Sequence, residues 1–179
     1  MKNSCLLILI VILFNMVDLS AQTEKAGPVK WYTIQEAVKL QKTAPRKIII
    51  DVYTDWCGWC KKMDAETFNQ PTIAAYLNAH FYPVKFNAES LDSVVFEGRT
   101  FKNLQVGKKS THQFANALLN GQMSYPSLAY MDEKLQLLTA QAGYLTAVQI
   151  EPLLSFLAED KFKSVSYPDY QKTFVSKIK

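Results

Sequence analysis

The sequence predicts an α/β domain in which helices flank a mixed central sheet. Three observations carry that expectation. Residues 47–54 (KIIIDVYT) form a β-branched apolar run that reads as a buried strand, and residues 81–86 read as a second strand reached through a helical stretch, so the two should pair in parallel. Residues 128–131 and 136–140 flank Asp132-Glu133-Lys134 and read as a hairpin that adds antiparallel partners. Thr33 with Glu36, and Thr146 with Gln149, are capping boxes that open helices.

The elements follow in order. The first helix runs from the Thr33 cap to about residue 42, with Ile34, Ala37, Val38 and Gln41 on one face and Pro45 beyond its end. Strand 47–54 carries a carboxylate, Asp51, inside its apolar run. Residues 55–60 (DWCGWC) form a turn into a helix over 61–68. Asn69-Gln70-Pro71 breaks that helix, and another covers 72–79 before the strand at 81–86. Between 88 and 123 lies an insertion with one predicted helix, about 111–119, capped by Ser110 or Thr111. After the hairpin, Gly143 and Tyr144 turn the chain into a last helix that reaches about 159. Its expected apolar face is Val148, Ile150, Leu153, Leu154 and Leu157. The tail from 161 to 179 alternates polar and aromatic residues and is assigned no element.

Composition narrows the class. The 179 residues are 49% hydrophobic and 20% charged, which suits a globular domain. The net charge of +4 is mild, and only the tail (Lys161, Lys163, Lys172, Lys177, Lys179) is locally basic, so a nucleic-acid partner is not expected. Residues 1–21 read as a cleavable export signal: Lys2 opens them, an apolar run covers 5–17, and Ala21 offers a small residue at the cleavage point. The run is shorter than the roughly 20 residues a membrane span needs. Cleavage after Ala21 leaves 179 − 21 = 158 residues and two of the three cysteines, Cys57 and Cys60. Export places them where disulfides persist. The loop they close is too small to stabilise the chain appreciably, which points to chemistry instead.

Cys-x-x-Cys at a strand-to-helix turn is the strongest signal in the chain. The first cysteine sits at the helix start, where free N–H groups favour an anion. Lowering a thiol pKa from about 8.5 to about 7 takes the thiolate from a few percent to about half at neutral pH, for roughly 2 kcal/mol. Cys57 is therefore the expected attacking thiol, and Cys60, a turn further in, the resolving one. A zinc site would need His80 and His112 with the two cysteines. Spacings of 20 and 32 residues (80 − 60 and 112 − 80) are unlike compact zinc patterns, so no metal is expected and both histidines read as surface or loop residues.

Residues 48–61 (IIIDVYTDWCGWCK), with Asp51 six residues before Cys57, resemble the active-site segment of the thioredoxin family. Tyr125-Pro126-Ser127-Leu128 is similar to the family's cis-proline loop, and Gly143 falls where the family has a glycine before its final helix. The resemblance covers about 33–160 outside the insertion. Asp55-Trp56-Cys57, Cys60-Lys61, Thr67-Phe68 and Pro71 are most similar to exported thioredoxin-like domains, among them the soluble end domain of the bacterial transmembrane thiol–disulfide electron transporter. The resemblance implies a thioredoxin fold over 22–160, with the insertion before the cis-proline loop and 161–179 as a tail. It implies that Asp51 takes the proton of Cys60, that Lys85 partners Asp51, and that a cis Pro126 turns the Tyr125 backbone toward Cys57 to pair with a substrate. The plain alternatives are a surface strand end for Asp51, a trans turn for Pro126 and an ordinary surface lysine for Lys85. Trp56 is expected to pack beside the pair and shield it, and Trp59 to be exposed toward a partner. Trp59 departs from the proline of common thioredoxins, and the insertion is a second departure. The expected activity is cofactor-free dithiol–disulfide exchange, reductive in direction, with exported disulfide proteins as clients and a membrane or soluble thiol donor. An oxidase or isomerase is the enzymatic alternative. A partner-binding module with an incidental disulfide is the non-enzymatic one.

Overall fold

A helix, a strand and a second helical segment open the described chain, which in this computed structural model covers residues 27–105 and 110–178. The expected export signal lies outside the described residues. Helix α1 (Ile34–Gln41) is closed at its start by the Thr33–Glu36 capping box. Strand β1 (Lys47–Tyr53) leads to α2 (Gly58–Met63), which passes without a break into a π-helical turn, Asp64–Phe68. Helix α3 (Pro71–His80) starts with proline at its first position, where no N–H is missed, and runs directly into β2 (Phe81–Asn87). The insertion contributes β3 (Val94–Phe96), β4 (Arg99–Phe101) and α4 (Gln113–Leu118). Strands β5 (Ser127–Met131) and β6 (Leu137–Ala142) form the hairpin, and α5 (Ala147–Ala158) begins at the Thr146–Gln149 capping box. A short 3-10 turn, Lys161–Lys163, and α6 (Tyr167–Thr173) complete the chain.

The main sheet has the order β2-β1-β5-β6, with β1 parallel to β2 and antiparallel to β5. Flanked by a strand on each side, β1 is buried at every position except Tyr53, as its continuous apolar run demands. Side chains alternate across the sheet. Ile48, Ile50 and Val52 face a core shared with α1 and the insertion, whereas Ile49 faces a core shared with Met63, Phe68, α3 and α5. Asp51, two residues beyond Ile49, belongs to the second side.

Five expectations need correction. The insertion holds a β-hairpin as well as a helix. Its two-residue turn, Glu97-Gly98, has positive φ at both positions, as a tight I′-type hairpin requires. Helix α4 is capped by His112, not by Ser110 or Thr111, and His112 is 0% exposed, so it is a core residue. Val148 is 57% exposed: it lies nine positions before the buried Leu157, about two and a half helical turns, and so points the opposite way. The tail does have structure. Phe162, Tyr167 and Tyr170 pack on the α5 side of the molecule, and Phe156 meets all three rings at 5.2–6.4 Å.

Candidate functional site

Strand β1 ends at Tyr53, and the chain turns through Thr54–Trp56 into α2. Cys57 caps α2: its Sγ accepts the Cys60 N–H at 3.1 Å, while its own N–H donates to the Thr54 carbonyl at 3.1 Å. Cys57 and Cys60 are joined as a disulfide, with Cα atoms 5.3 Å apart, and both are buried. An N–H that already points at the Cys57 sulfur favours negative charge there once the bond is reduced.

Two aromatic pairs rim the disulfide. On one side the Trp56 ring stands edge-on to Tyr125 at 6.0 Å. Trp56 is 62% exposed, and its Nε1–H donates to both carboxylate oxygens of Glu89, at 3.1 and 3.0 Å. It is thus held at the surface. On the other side Trp59, 58% exposed, lies tilted by 46° against Tyr144 at 5.4 Å, and the Lys62 ammonium lies 5.2 and 5.5 Å from the two rings. The Tyr144 hydroxyl donates to Glu66 at 2.8 Å. The Tyr125–Pro126 peptide is cis, directly before β5, whose Ser127 pairs with Val52 near the end of β1. Strand pairing thus brings the Pro126 loop and the cysteine turn to the same end of the sheet.

On β1, six residues before Cys57, a charged cluster runs from the core toward the surface. Asp51 is 1% exposed and sits beside Lys85 in the β1–β2 register. The Lys85 ammonium donates to Asp51 Oδ2 at 2.7 Å and to Asp64 Oδ1 at 2.5 Å. The rings of Tyr53, Trp31 and Phe68 surround it at 4.9, 5.0 and 5.8 Å. Asp51 Oδ1 is buried and has no hydrogen-bond partner. Burial pushes the Asp51 carboxyl up to about 6, against the pull of Lys85. Burial works against the Lys85 charge too, but the two carboxylates outweigh it and the ammonium is held above the ordinary lysine range.

The structure therefore gathers Cys57, Cys60, Trp56, Trp59, Tyr125 and Pro126 around the turn, and pairs Asp51, on the strand that leads into it, with Lys85 on β2. Asp64, Glu89 and the Tyr144–Lys62 pair were not singled out from sequence. Asp64 had a usable signal, since it lies one helical turn after Cys60. Glu89 and Tyr144 come from distant segments and had none. Among the described residues no three His, Cys, Asp or Glu side chains gather as metal ligands do. The two ring nitrogens of His112 are engaged with the Phe114 N–H and the Asp92 carbonyl, both at 3.0 Å.

Comparison with known proteins agrees with this geometry. Residues 19–107 match the family described as "Protein of unknown function, DUF255" (Thioredox_DsbH). A 60-residue stretch is 35% identical to the thiol:disulfide interchange protein DsbD of Vibrio vulnificus strain YJ016; it is 32% of this chain but only 10% of that protein's length. Among solved structures, the DsbH oxidoreductase aligns with a TM-score of 0.54 at 16% identity, over 75% of this chain and 88% of that one. A thioredoxin from Thermus thermophilus aligns with a TM-score of 0.55 at 15% identity, over 73% and 88%. At such identities the structural likeness speaks for the fold, and the cysteine pair in its capped turn speaks for the chemistry. Together they show a thioredoxin fold that carries a Cys57–Cys60 pair, in a chain whose residues 19–107 are similar to the Thioredox_DsbH family.

Proposed function

We propose that this protein reduces disulfides in exported proteins by dithiol exchange through Cys57 and Cys60. The observation that carries the proposal is the Cys57 sulfur at the cap of α2, accepting the Cys60 N–H and flanked by a cis-proline loop. In the reduced protein the Cys57 thiolate attacks one sulfur of a client disulfide. The client's other sulfur leaves as a thiolate, and a Cys57–client mixed disulfide remains. Cys60 then gives its proton to the buried Asp51 carboxylate and attacks Cys57 Sγ. The Cys57–Cys60 bond forms, the second client thiolate departs, and two electrons have moved from protein to client. Asp51, held near 6 by burial, suits a base working close to neutrality. Trp56, Trp59 and the Tyr125–Pro126 loop form the surface on which an extended client segment would lie. The export-like sequence at residues 1–21 supports a periplasmic or secreted location, with reducing equivalents from a membrane or soluble thiol donor. Among the described residues no helix is long and apolar enough to cross a membrane.

Two measurements on one preparation test the proposal. Cys60→Ser should accumulate client proteins as mixed disulfides through Cys57, and Cys57→Ser should accumulate none. Equilibration of the pair with glutathione should give a potential near about −270 mV; a value near about −120 mV would make the protein an oxidant.

A further inference from the structure

The proposed mechanism assigns tasks to Asp51 and Lys85 but none to Asp64, which shares the same ammonium. Asp64 is the first residue of the π-helical turn, and that turn lets α2 continue while presenting Asp64 to the sheet. Lys85 has three N–H donors. One goes to Asp51 and one to Asp64, and three aromatic rings stand around the ammonium and limit where it can move. The second Asp51 oxygen, Oδ1, is left without any donor. Lysine ammonium is thus divided between a buried carboxylate and a half-exposed one, and the buried one is under-satisfied.

We propose that Asp64 is a positioning residue for the resolving step: by holding part of the Lys85 ammonium it prevents full pairing with Asp51, and so sets the pH range over which Asp51 accepts a proton. This rests on the reading of Asp51 as the base for Cys60. A base that is fully ion-paired binds protons weakly, and one with no cation nearby is protonated before the reaction begins; a shared cation keeps Asp51 between these limits. The charged and titratable groups around Asp51 are few. Lys85 comes from β2, Asp64 from the π-turn, Tyr53 from the same strand, and Tyr130, fully buried with no hydrogen-bond partner for its hydroxyl, from β5. Burial drives both tyrosines away from ionisation, so in the neutral range only Lys85 and Asp64 act on Asp51 as charges. Asp64, as a second negative charge, favours the protonated form of Asp51, and Lys85 favours the ionised one.

The test replaces Asp64 by Asn and by Glu in the full protein. The first readout is the carboxyl-carbon NMR shift of Asp51 against pH, taken on the oxidised protein so that no thiol titrates. The second is the single-turnover rate of resolution against pH, with oxidised glutathione as the disulfide. In Asp64→Asn the Asp51 midpoint should fall by several tenths of a pH unit to about one unit, and the acid limb of the rate profile should move with it. Asp64→Glu, which keeps the charge, should restore most of both. A denaturant melt at pH 4, where Asp51 is protonated in both proteins, will be nearly unchanged, because Asp64 is half-exposed. An unmoved Asp51 midpoint in Asp64→Asn overturns the proposal, as does a rate loss without any shift of the limb. Asp51→Asn separates this failure from that of the mechanism beneath it. If Asp51→Asn keeps the acid limb, Asp51 is not the base; if it loses the limb while Asp64→Asn leaves it in place, only the role of Asp64 falls.

Discussion

The two sides of the central sheet bury polar groups on opposite terms. On the α3–α5 side, Asp51 is buried with one oxygen unpartnered, and its charge is only partly compensated by a lysine that also serves Asp64. On the side of α1 and the insertion, the buried ionisable group is His112, and both of its nitrogens are satisfied. Around it is an aromatic cluster: Phe114 touches Phe86, Phe96 and Phe101 at 5.3–5.4 Å, and Phe86 stands edge-on to the His112 ring at 5.1 Å. One side keeps a group that stability alone would discard, and that is the side from which the cysteine pair is served. The other leaves only neutral groups unpartnered, Gln41 Nε2 and Thr54 Oγ1, and acts as scaffold.

The two groups also respond to acid with opposite sign. Burial raises the Asp51 pKa from 3.8 to about 6, so the native state binds the proton more tightly than the unfolded chain. The cost of the charge is fully present above pH 6 and disappears as pH falls through that window to below about 4. Burial lowers the His112 pKa below 6.5, so the native state resists protonation and loses stability as pH falls below the unfolded value.

The contrast is most easily broken at Phe114, the hub of the scaffold side. Phe114→Ala should cost about 3–5 kcal/mol in a denaturant melt, because the site is lined by three other rings and cannot collapse without moving the hairpin. The exchange rate at Cys57, measured per folded molecule, should stay within about twofold. A larger loss of rate would mean that the scaffold shapes the site, and the two sides would no longer be separable.

Asp51→Asn probes the other side with the reverse outcome. At pH 7 the variant should gain about 1–3 kcal/mol, the size of a shift from 3.8 to about 6, with Lys85 keeping Asp64 as its partner. At pH 4 the gain should vanish, since wild-type Asp51 is then protonated as well. Resolution of the Cys57 mixed disulfide should slow over the same neutral range. Denaturant melts at the two pH values read the stability, and single-turnover kinetics read the rate. A stability gain that persists at pH 4 would show that the cost of Asp51 does not come from its charge.

How much of this was legible in the sequence follows the same division. The strand 47–53, the break before Pro71 and both capping boxes are local patterns, and the structure has them nearly where the residues put them. The cysteine turn was legible because its chemistry requires adjacent residues. The insertion was not: strands of three residues carry no usable alternation, and the only clue to β3–β4 was Glu97-Gly98 after the apolar triplet Val94-Val95-Phe96. His112 was misread because residues placed like it usually lie in loops, and nothing local shows that Phe86 and Phe114 will close over it. Val148 was misread for a simpler reason, as an apolar residue counted without its angle on the helix. The Lys85–Asp64 contact joins residues 21 apart through a π-turn that no sequence rule specifies.

The contact of Glu89 with Trp56 crosses between the two regions, and it sharpens the comparison most finely. Glu89 opens the insertion, yet both of its carboxylate oxygens accept the indole N–H of Trp56, in the turn before Cys57. Trp56 in turn stands edge-on to Tyr125 at the cis-proline loop. The insertion thus reaches the rim of the site through a hydrogen-bonded side chain. Glu89→Gln keeps an acceptor but removes the charge, so the bond should weaken without disappearing, at a cost below about 1 kcal/mol at this partly exposed position. Global stability should hardly change. The Trp56 indole N–H resonance should shift and exchange faster with solvent, and the rate with a peptide disulfide should change by no more than a few-fold. With oxidised glutathione, too small to reach the rim, it should not change at all. Because Glu89 acts only through Trp56, the peptide effect should be absent when Trp56 is already Phe, which cannot donate. A double-mutant cycle of Glu89→Gln and Trp56→Phe measures this directly. If the two effects add, Glu89 influences the client by a route other than Trp56.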